Sequence, residues 1–482
     1  MDLLKRSVVS VGWNMAANVI SVLVLFARSV ILARLLPVTA FGVYAFASSW
    51  VALTIVFATF GLGTAFLHRC EETEDVQQAA AVHFTLTTLF VLAWGALHIL
   101  AAFWLTDGLN RGALIFLVVV RGLSQLTETP RLLLVRQVAH QRLAVIETVM
   151  DILSTLVAVL LALRGVAVWA LLATDAVMLL VTAGGLYLWR PFWRPRFAWV
   201  PRVVRYYLRF GVQDVGAAAL TRALDRLDDL WTGIYLGKEA LGFYSRAYTF
   251  ATYPRQVLAT PINQVVTGTY AELKGDTHRL SQAFFRSNAL LVRSGFYFGG
   301  LLALVIPEFI YLIIGVKWLP MMTTFRLMLL FTLLDPLKAT IATLFTAVGR
   351  PSIVLRIRAI QLLIMIPGLF LLGLPWGIEG VALAVNVMLL VGLFLLLRAA
   401  RQFVQFSVRR LFLLPGVAVA VGLGAALIGF QLAGWQDVTP NWATAVLKTA
   451  LFSIPYLLIL FLGERHELLD MVALVRGRFR QP

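Results

Sequence analysis

Apolar runs of about twenty residues or more recur along the whole chain, separated by short polar breaks rich in lysine and arginine. A helix of about 20 apolar residues covers the roughly 30 Å hydrocarbon core of a bilayer. The pattern predicts fourteen such spans, at about 8–33, 41–66, 79–103, 111–131, 142–163, 166–189, 210–236, 240–270, 286–315, 320–348, 353–374, 377–398, 411–432 and 443–463. With the N-terminus inside, the inner loops and tails hold 26 Lys/Arg. The outer loops hold five: Arg34, Arg111, Arg164, Lys238 and Lys317. One missed or extra span would scramble this alternation, so both termini are expected to be cytoplasmic. The first apolar run is too long for a signal peptide and lacks a cleavage site, so it reads as a retained span.

A mean hydropathy of +0.86, with only 13% charged residues, excludes an ordinary soluble domain. The fold class expected is an all-α polytopic membrane protein. The net charge of +17 would suggest nucleic acid in a soluble protein. Here the positive-inside pattern accounts for it, and no nucleic-acid partner is expected. The single cysteine, Cys70, excludes an internal disulfide and a thiolate cluster, and the six histidines have no metal-ligand spacing. No metal or cofactor is expected.

Two weak internal matches divide the chain. "AFGVYAFASSW" from Ala40 aligns with "ALGFYSRAYTF" from Ala240, pairing Gly42 with Gly242 and Tyr44 with Tyr244; "GVAVWALL" from Gly165 resembles "GVALAVNV" from Gly380. Six spans separate the copies, which gives parallel repeats about an axis along the membrane normal, with a site expected between them near midplane. The expected organisation is a six-helix lobe over 1–190, a basic cytoplasmic linker over 191–209 and a second six-helix lobe over 210–400. Two additional transmembrane helices follow over 401–463, then an amphipathic cytoplasmic tail over 464–482. The linker, "WRPFWRPRFAWVPRVVRYYLR", sets aromatic rings between arginines, and its prolines argue against one straight helix. That composition fits an ordinary positive-inside linker and also a surface for anionic headgroups.

Span seven contains "TRALDRLDDLW", five charges in eleven residues. At 100° per residue Asp214, Arg222, Asp225, Arg226 and Asp229 fall within about 120°, so the charged stripe must face protein or a wet cavity. Asp228 lies off the stripe, where a neighbouring helix can meet it. Arg28, Arg246, Arg255, Arg293, Arg326 and Lys338 also fall within spans and, with Arg222 and Arg226, are candidates for a cationic path. Asp214, Asp225, Asp228, Asp229 and Asp335 are their candidate braces, while a closed ion-pair network that locks the bundle is the competing reading. Lys448 is expected to snorkel outward. Asp151, Asp175 and Glu147 are candidates for binding a coupling proton or cation, and equally for hydrogen bonds between helices.

Four stretches carry a family resemblance: "LARLLPVTAFGVYAFA", "YLGKEALGFYSRAYTFATYPRQVLATPINQV", "YLIIGVKWLPMMTTFRLMLL" and "LFTAVGRPSIVL". In this order they resemble the Wzx-like polysaccharide-repeat flippases of the multidrug/oligosaccharidyl-lipid/polysaccharide exporter superfamily. The resemblance implies a V-shaped, two-lobed bundle with a central cavity, like that of the superfamily's drug exporters and lipid II flippases. It also implies alternating access and an undecaprenyl-pyrophosphate-linked oligosaccharide as cargo. For the last two helices it implies a groove for the lipid tail, and beyond the membrane lipids it implies a polysaccharide polymerase and export machinery as partners.

Two other classes compete. A cation-coupled drug exporter on the same fold calls for an acid-dominated cavity. A membrane-embedded polymerase calls for a large external loop with carboxylates, whereas the longest external loop here is about ten residues, "AGWQDVTPNW".

Overall fold

The computed structural model describes residues 21–68, 75–137, 140–435 and 438–465. Helices and their turns make up nearly all of it, and no strand occurs among the described residues. They run as α1 (21–35), α2 (Val38–Thr54), α3 (Val56–Thr59), α4 (Leu62–His68), α5 (Val76–Leu105), α6 (Gly108–Gln125), α7 (Glu128–Arg136), α8 (His140–Leu163) and α9 (Ala167–Ala183). There follow α10 (Pro201–Tyr235), α11 (Lys238–Leu273), α12 (Thr277–Glu308), α13 (Met322–Ala347), α14 (Pro351–Gly368), α15 (Leu374–Ala400), α16 (Val408–Leu432) and α17 (Trp442–Gly463).

Among the described residues ten continuous helical segments are long and apolar enough to cross a membrane, which makes this a multi-pass membrane protein. The remaining expected spans differ for identifiable reasons. Pro351–Ala400 counts as one segment, although Gly377 (φ 59°) kinks it into two helices. Helices α10 and α11 are long enough but carry the charges described above, and the start of the first span lies outside the described residues. The expected tail lies outside them too, beyond residue 465.

Several spans are broken. The second divides at Ile55 and again at Phe60–Gly61, both left-handed, and the fourth divides at Leu126–Thr127. Pro307 and Pro367 each stand two residues before a π-helical turn, Phe309–Ile314 and Leu369–Gly373. Proline removes one helical hydrogen bond and crowds the preceding turn, and a wider turn relieves both.

The linker is shorter than expected. Pro201 occupies the first turn of α10, where its missing N–H is no loss, so the non-helical part ends at Val200. That part is an extended strap pinned to α5. The Trp193 ring is buried against Phe84, and the Ala198 N–H donates to Thr85 Oγ1 at 3.0 Å. Arg142 donates to the carbonyls of Gly185 and Trp189 at the strap's start.

Contacts group the chain into two compact units, Met1–Arg246 with Arg358–Ala384, and Ala247–Ile357 with Val385–Pro482. The first therefore takes in α10, which the division of the sequence at 190 and 210 assigns to the second lobe. It does so because α10 lies against α2 and the broken segment after it. Gly211 packs on the Phe60 carbonyl and ring, and the Asp214 carboxyl rests on Gly61.

Within this unit the two repeat copies meet. A Cβ on Gly42 would run into the Lys238 carbonyl, and a Cβ on Gly242 would run into the Val38 carbonyl. Each glycine thus receives the first turn of the other's helix. The Lys238 ammonium lies 2.9 Å from the centre of the Phe46 ring, and the Arg246 guanidinium lies 4.7 Å from that of Phe41. Gly42→Ala is expected to cost close to 3 kcal/mol, the upper end for overpacking, because backbone rather than a flexible side chain must yield. The purified variant's melting temperature checks this, and a melting point equal to wild type counts against it.

Candidate functional site

Charged side chains in the first unit form a connected band across five helices. On α1, Arg28 donates to Ser154 Oγ of α8 (3.1 Å) and lies within electrostatic reach of Asp151. The next residue, Ser29, accepts from Arg246 of α11 at 3.4 Å. Arg246 in turn acts electrostatically on Asp229 of α10. Asp229 accepts from Ser49 of α2 at 2.9 Å and pairs with Arg226 at 3.5 Å. Asp228, off the stripe, meets the following helix: it accepts from the Tyr244 hydroxyl at 2.6 Å. Its other oxygen is buried with no hydrogen-bond partner among the described residues.

The repeat is visible here in chemistry as well as packing. Tyr44, the counterpart of Tyr244, also donates to a buried carboxylate, Asp175 of α9, at 2.8 Å. Arg121 of α6 pairs with the same carboxylate at 2.6 Å. Of the three candidates for ion coupling, Asp175 is therefore held by a guanidinium and a phenol. Glu147 is half-exposed and pairs with Arg131 at 3.3 Å. Asp151 remains as a buried carboxylate whose neighbours include Ser21 and Arg28.

Arg222 stands apart from this band. It is exposed on α10 and forms no ion pair or hydrogen bond among the described residues. Asp225 is exposed beside it, and Asp214, half-buried, packs against Gly61. Arg358 of α14, about two turns past the start of its helix, donates to Thr221 Oγ1 at 2.7 Å. Arg358 lies within the expected span at 353–374 but is not among the candidate cations named from the sequence. The helix begins at Pro351, two residues before the apolar run, and carries this guanidinium up to α10.

In the second unit Arg255 of α11 and Lys338 of α13 share one carboxylate, Asp335, at 2.5 and 2.9 Å. Two cations on one anion leave a net positive charge. Arg255 and Thr332 line a small cavity of about 30 Å³ whose other walls are mainly apolar side chains of α12 and α13. Arg326 is exposed and donates to the Ala303 carbonyl at 3.0 Å.

Two cations are placed differently from expectation. Arg293, a candidate for the cationic path, is 6% exposed and forms a two-pronged pair with Glu464 at the end of α17. Its backbone carbonyl also accepts from Tyr456, so it fastens α17 to α12. Lys448 does not snorkel outward but pairs with buried Glu308 at 2.6 Å, under the Phe430 ring. An apolar run shows where a charge lies along a helix, but not which distant carboxylate waits for it.

Several aromatic side chains in these helices pack on one another. Tyr248 rests on Phe331, Tyr253 on Phe250 and Trp50 on Phe46. Among the described residues no group of three or more His, Cys, Asp or Glu is placed to hold a metal ion.

Residues 31–323, more than half of the chain, match the model of the family described as polysaccharide biosynthesis protein. The chain belongs to that family. Among its relatives is the succinoglycan biosynthesis transport protein ExoT of Rhizobium meliloti. It is 29% identical over 319 residues, 64% of this chain and 63% of that protein. The lipopolysaccharide biosynthesis protein WzxC of Escherichia coli is 25% identical over 404 residues, 80% of this chain and 78% of that one. The alignment to ExoT thus spans less than two thirds of that protein's length.

This member of the polysaccharide biosynthesis family shares its fold with two kinds of solved transporter. A lipid II flippase, MurJ, in an inward closed conformation superposes with a TM-score of 0.71. It is 13% identical, and the match covers 96% of this chain and 100% of that one. An inward-facing multidrug resistance transporter of the MATE family gives 0.61 at 14% identity, over 79% of this chain and 94% of that one. At such identities the likeness is one of fold alone.

Proposed function

We propose that this chain is a flippase that moves an undecaprenyl-pyrophosphate-linked oligosaccharide repeat unit across the membrane for exopolysaccharide or O-antigen assembly. The single observation that carries the reading is a set of cations in spanning helices that no carboxylate of their own neutralises. Arg222 has no partner among the described residues, Arg358 donates only to a neutral hydroxyl, and Arg255 and Lys338 share one aspartate. A pyrophosphate offers the matching charge, and a guanidinium presents its donors as a fork suited to phosphate oxygens. Moving that headgroup through hydrocarbon uncompensated would be prohibitive, while a wet cationic path lets the polyprenyl tail stay in lipid. Relatives named for succinoglycan transport and lipopolysaccharide biosynthesis support the substrate class.

In this reading two lobes, 1–190 and 210–400, alternate access to a cavity between them, and α16 and α17 are added outside the repeat. The protein sits in the bacterial inner membrane with both termini in the cytoplasm, as the charge alternation requires. It is a transporter rather than an enzyme, and it hands its cargo to a polysaccharide polymerase and export machinery. Arg222, Arg255, Lys338 and Arg358 are its main cargo contacts, with Arg226, Arg246, Arg326 and Arg28 along the path. Asp151 is the first candidate for the coupling proton or cation, because Asp175 and Glu147 already hold arginines.

Deleting the gene from a polysaccharide-producing host is expected to abolish surface polymer. Lipid-linked repeat units then accumulate on the cytoplasmic leaflet, and the wild-type gene clears them. Normal surface polymer in the deletion strain, with a gain in sensitivity to cationic drugs instead, would show that the chain is a drug exporter.

A further inference from the structure

The linker between α9 and α10 has a built position that its composition alone does not explain. Helix α5 has 30 residues. At 1.5 Å per residue it is about 45 Å long, about 15 Å more than the hydrocarbon core. Centred on the core, it leaves about 7 Å beyond each face. Thr85 follows Val76 by nine residues. That is about 13 Å along the axis, so Thr85 lies about 6 Å inside the hydrocarbon edge. The exposure of the helix agrees: residues 79–84 are buried, and its open apolar face begins above them at Leu89 and Leu92, 51% and 64% exposed. The strap that hydrogen-bonds Thr85 and buries Trp193 on Phe84 therefore lies at the boundary between acyl chains and headgroups, not out in the aqueous phase.

At that depth the strap presents two kinds of side chain. Phe197 and Trp199 are 71% and 59% exposed, on a surface otherwise held down by Trp193. Arg190, Arg194 and Arg196, which precede these rings along the strap, are exposed and form no ion pair or hydrogen bond among the described residues. The first turns of α10 add Arg205 and Arg209, equally exposed and equally unpaired, while Val203, Val204 and Tyr207 face inward. Rings that sit at the acyl boundary and arginines that reach the phosphate level make one surface with a single complement.

We infer that this strap is a binding surface for anionic phospholipid headgroups, whose phosphates bridge Arg194 and Arg196 while the acyl chains lie along Phe197 and Trp199. The inference needs only that the chain spans a membrane, so it stands or falls independently of the cargo proposed above. Its consequence is a layer of anionic lipid fixed where the two repeats join.

Native mass spectrometry of the detergent-purified full chain, titrated with phosphatidylglycerol or phosphatidylcholine, tests it. Wild type is expected to retain phosphatidylglycerol preferentially. Arg194→Gln with Arg196→Gln is expected to weaken retention about thirty-fold, which corresponds to about 1 kcal/mol for each arginine at a membrane surface. Arg194→Lys with Arg196→Lys should keep most of it. Arg401→Gln with Arg409→Gln, two exposed arginines elsewhere in the chain, should change it less than three-fold. Equal retention of the two lipids by wild type, or equal losses in the strap and control variants, overturns the inference. So does displacement of the bound phosphatidylglycerol by equimolar polyprenyl pyrophosphate, since the surface would then be a cargo site. A loss in the double glutamine variant accompanied by a lower melting temperature counts for the inference only if the lysine variant restores retention.

Discussion

Arg222→Gln is expected to cut export about a hundred-fold while leaving the protein's amount in the membrane, and its melting temperature, unchanged. The two halves of this expectation have separate physical grounds. A charge-assisted contact to a phosphate is worth about 1.5–3 kcal/mol, a factor of roughly 10 to 150. A cation on the path gives that contact to the cargo and nothing comparable to the resting protein. Stability is untouched because the guanidinium is exposed and has no partner among the described residues, so no buried group is orphaned by its loss. Surface polymer measured beside the amount of membrane-inserted protein checks both halves. Wild-type polymer in the variant would remove Arg222 from the path.

Glu308→Ala is the opposite case, a large loss of stability. Its carboxylate is buried and pairs with Lys448, whose ammonium is itself mostly enclosed beneath Phe430. Removing the carboxylate strands a cation in low dielectric, at a cost of about 3–5 kcal/mol. The melting temperature of the purified protein is expected to fall by about 5–15 °C. Glu308→Ala combined with Lys448→Met is expected to recover most of that loss, because removing both charges of a buried pair is close to neutral. A single variant that melts like wild type, or a double variant that melts no higher than the single, would show that the pair does not hold α17 to α12.

Much of the architecture was legible in the chain because a bilayer imposes it. A span must be long, apolar and internally hydrogen-bonded, and arginines in loops mark one side. What stayed hidden depends on contacts distant in sequence. Glu464 follows the last apolar run and reads as the start of a tail, yet it closes a pair with Arg293, 171 residues away. The break at Phe60–Gly61 has no proline to announce it, and Gly61 has the side chain of Asp214 packed against it. The charged stripe on α10 was visible from periodicity, and the wheel set Asp228 apart from it. That Asp228 would receive the hydroxyl of Tyr244 was not visible, because nothing in the local pattern points one helix's residue at another's.

The crossing of α2 and α11 bears on the origin of the chain. Gly42 takes the carbonyl of Lys238, and Gly242 takes that of Val38, positions that differ by the same offset of 200 in both directions. A contact in which residue i meets j and j meets i is isologous, the kind that two identical subunits make across a two-fold axis. Duplication followed by fusion places such a contact inside one polypeptide, with no partner left to find. The glycines would then persist because each is answerable to the other half: a side chain added to either copy spoils a surface that both copies share.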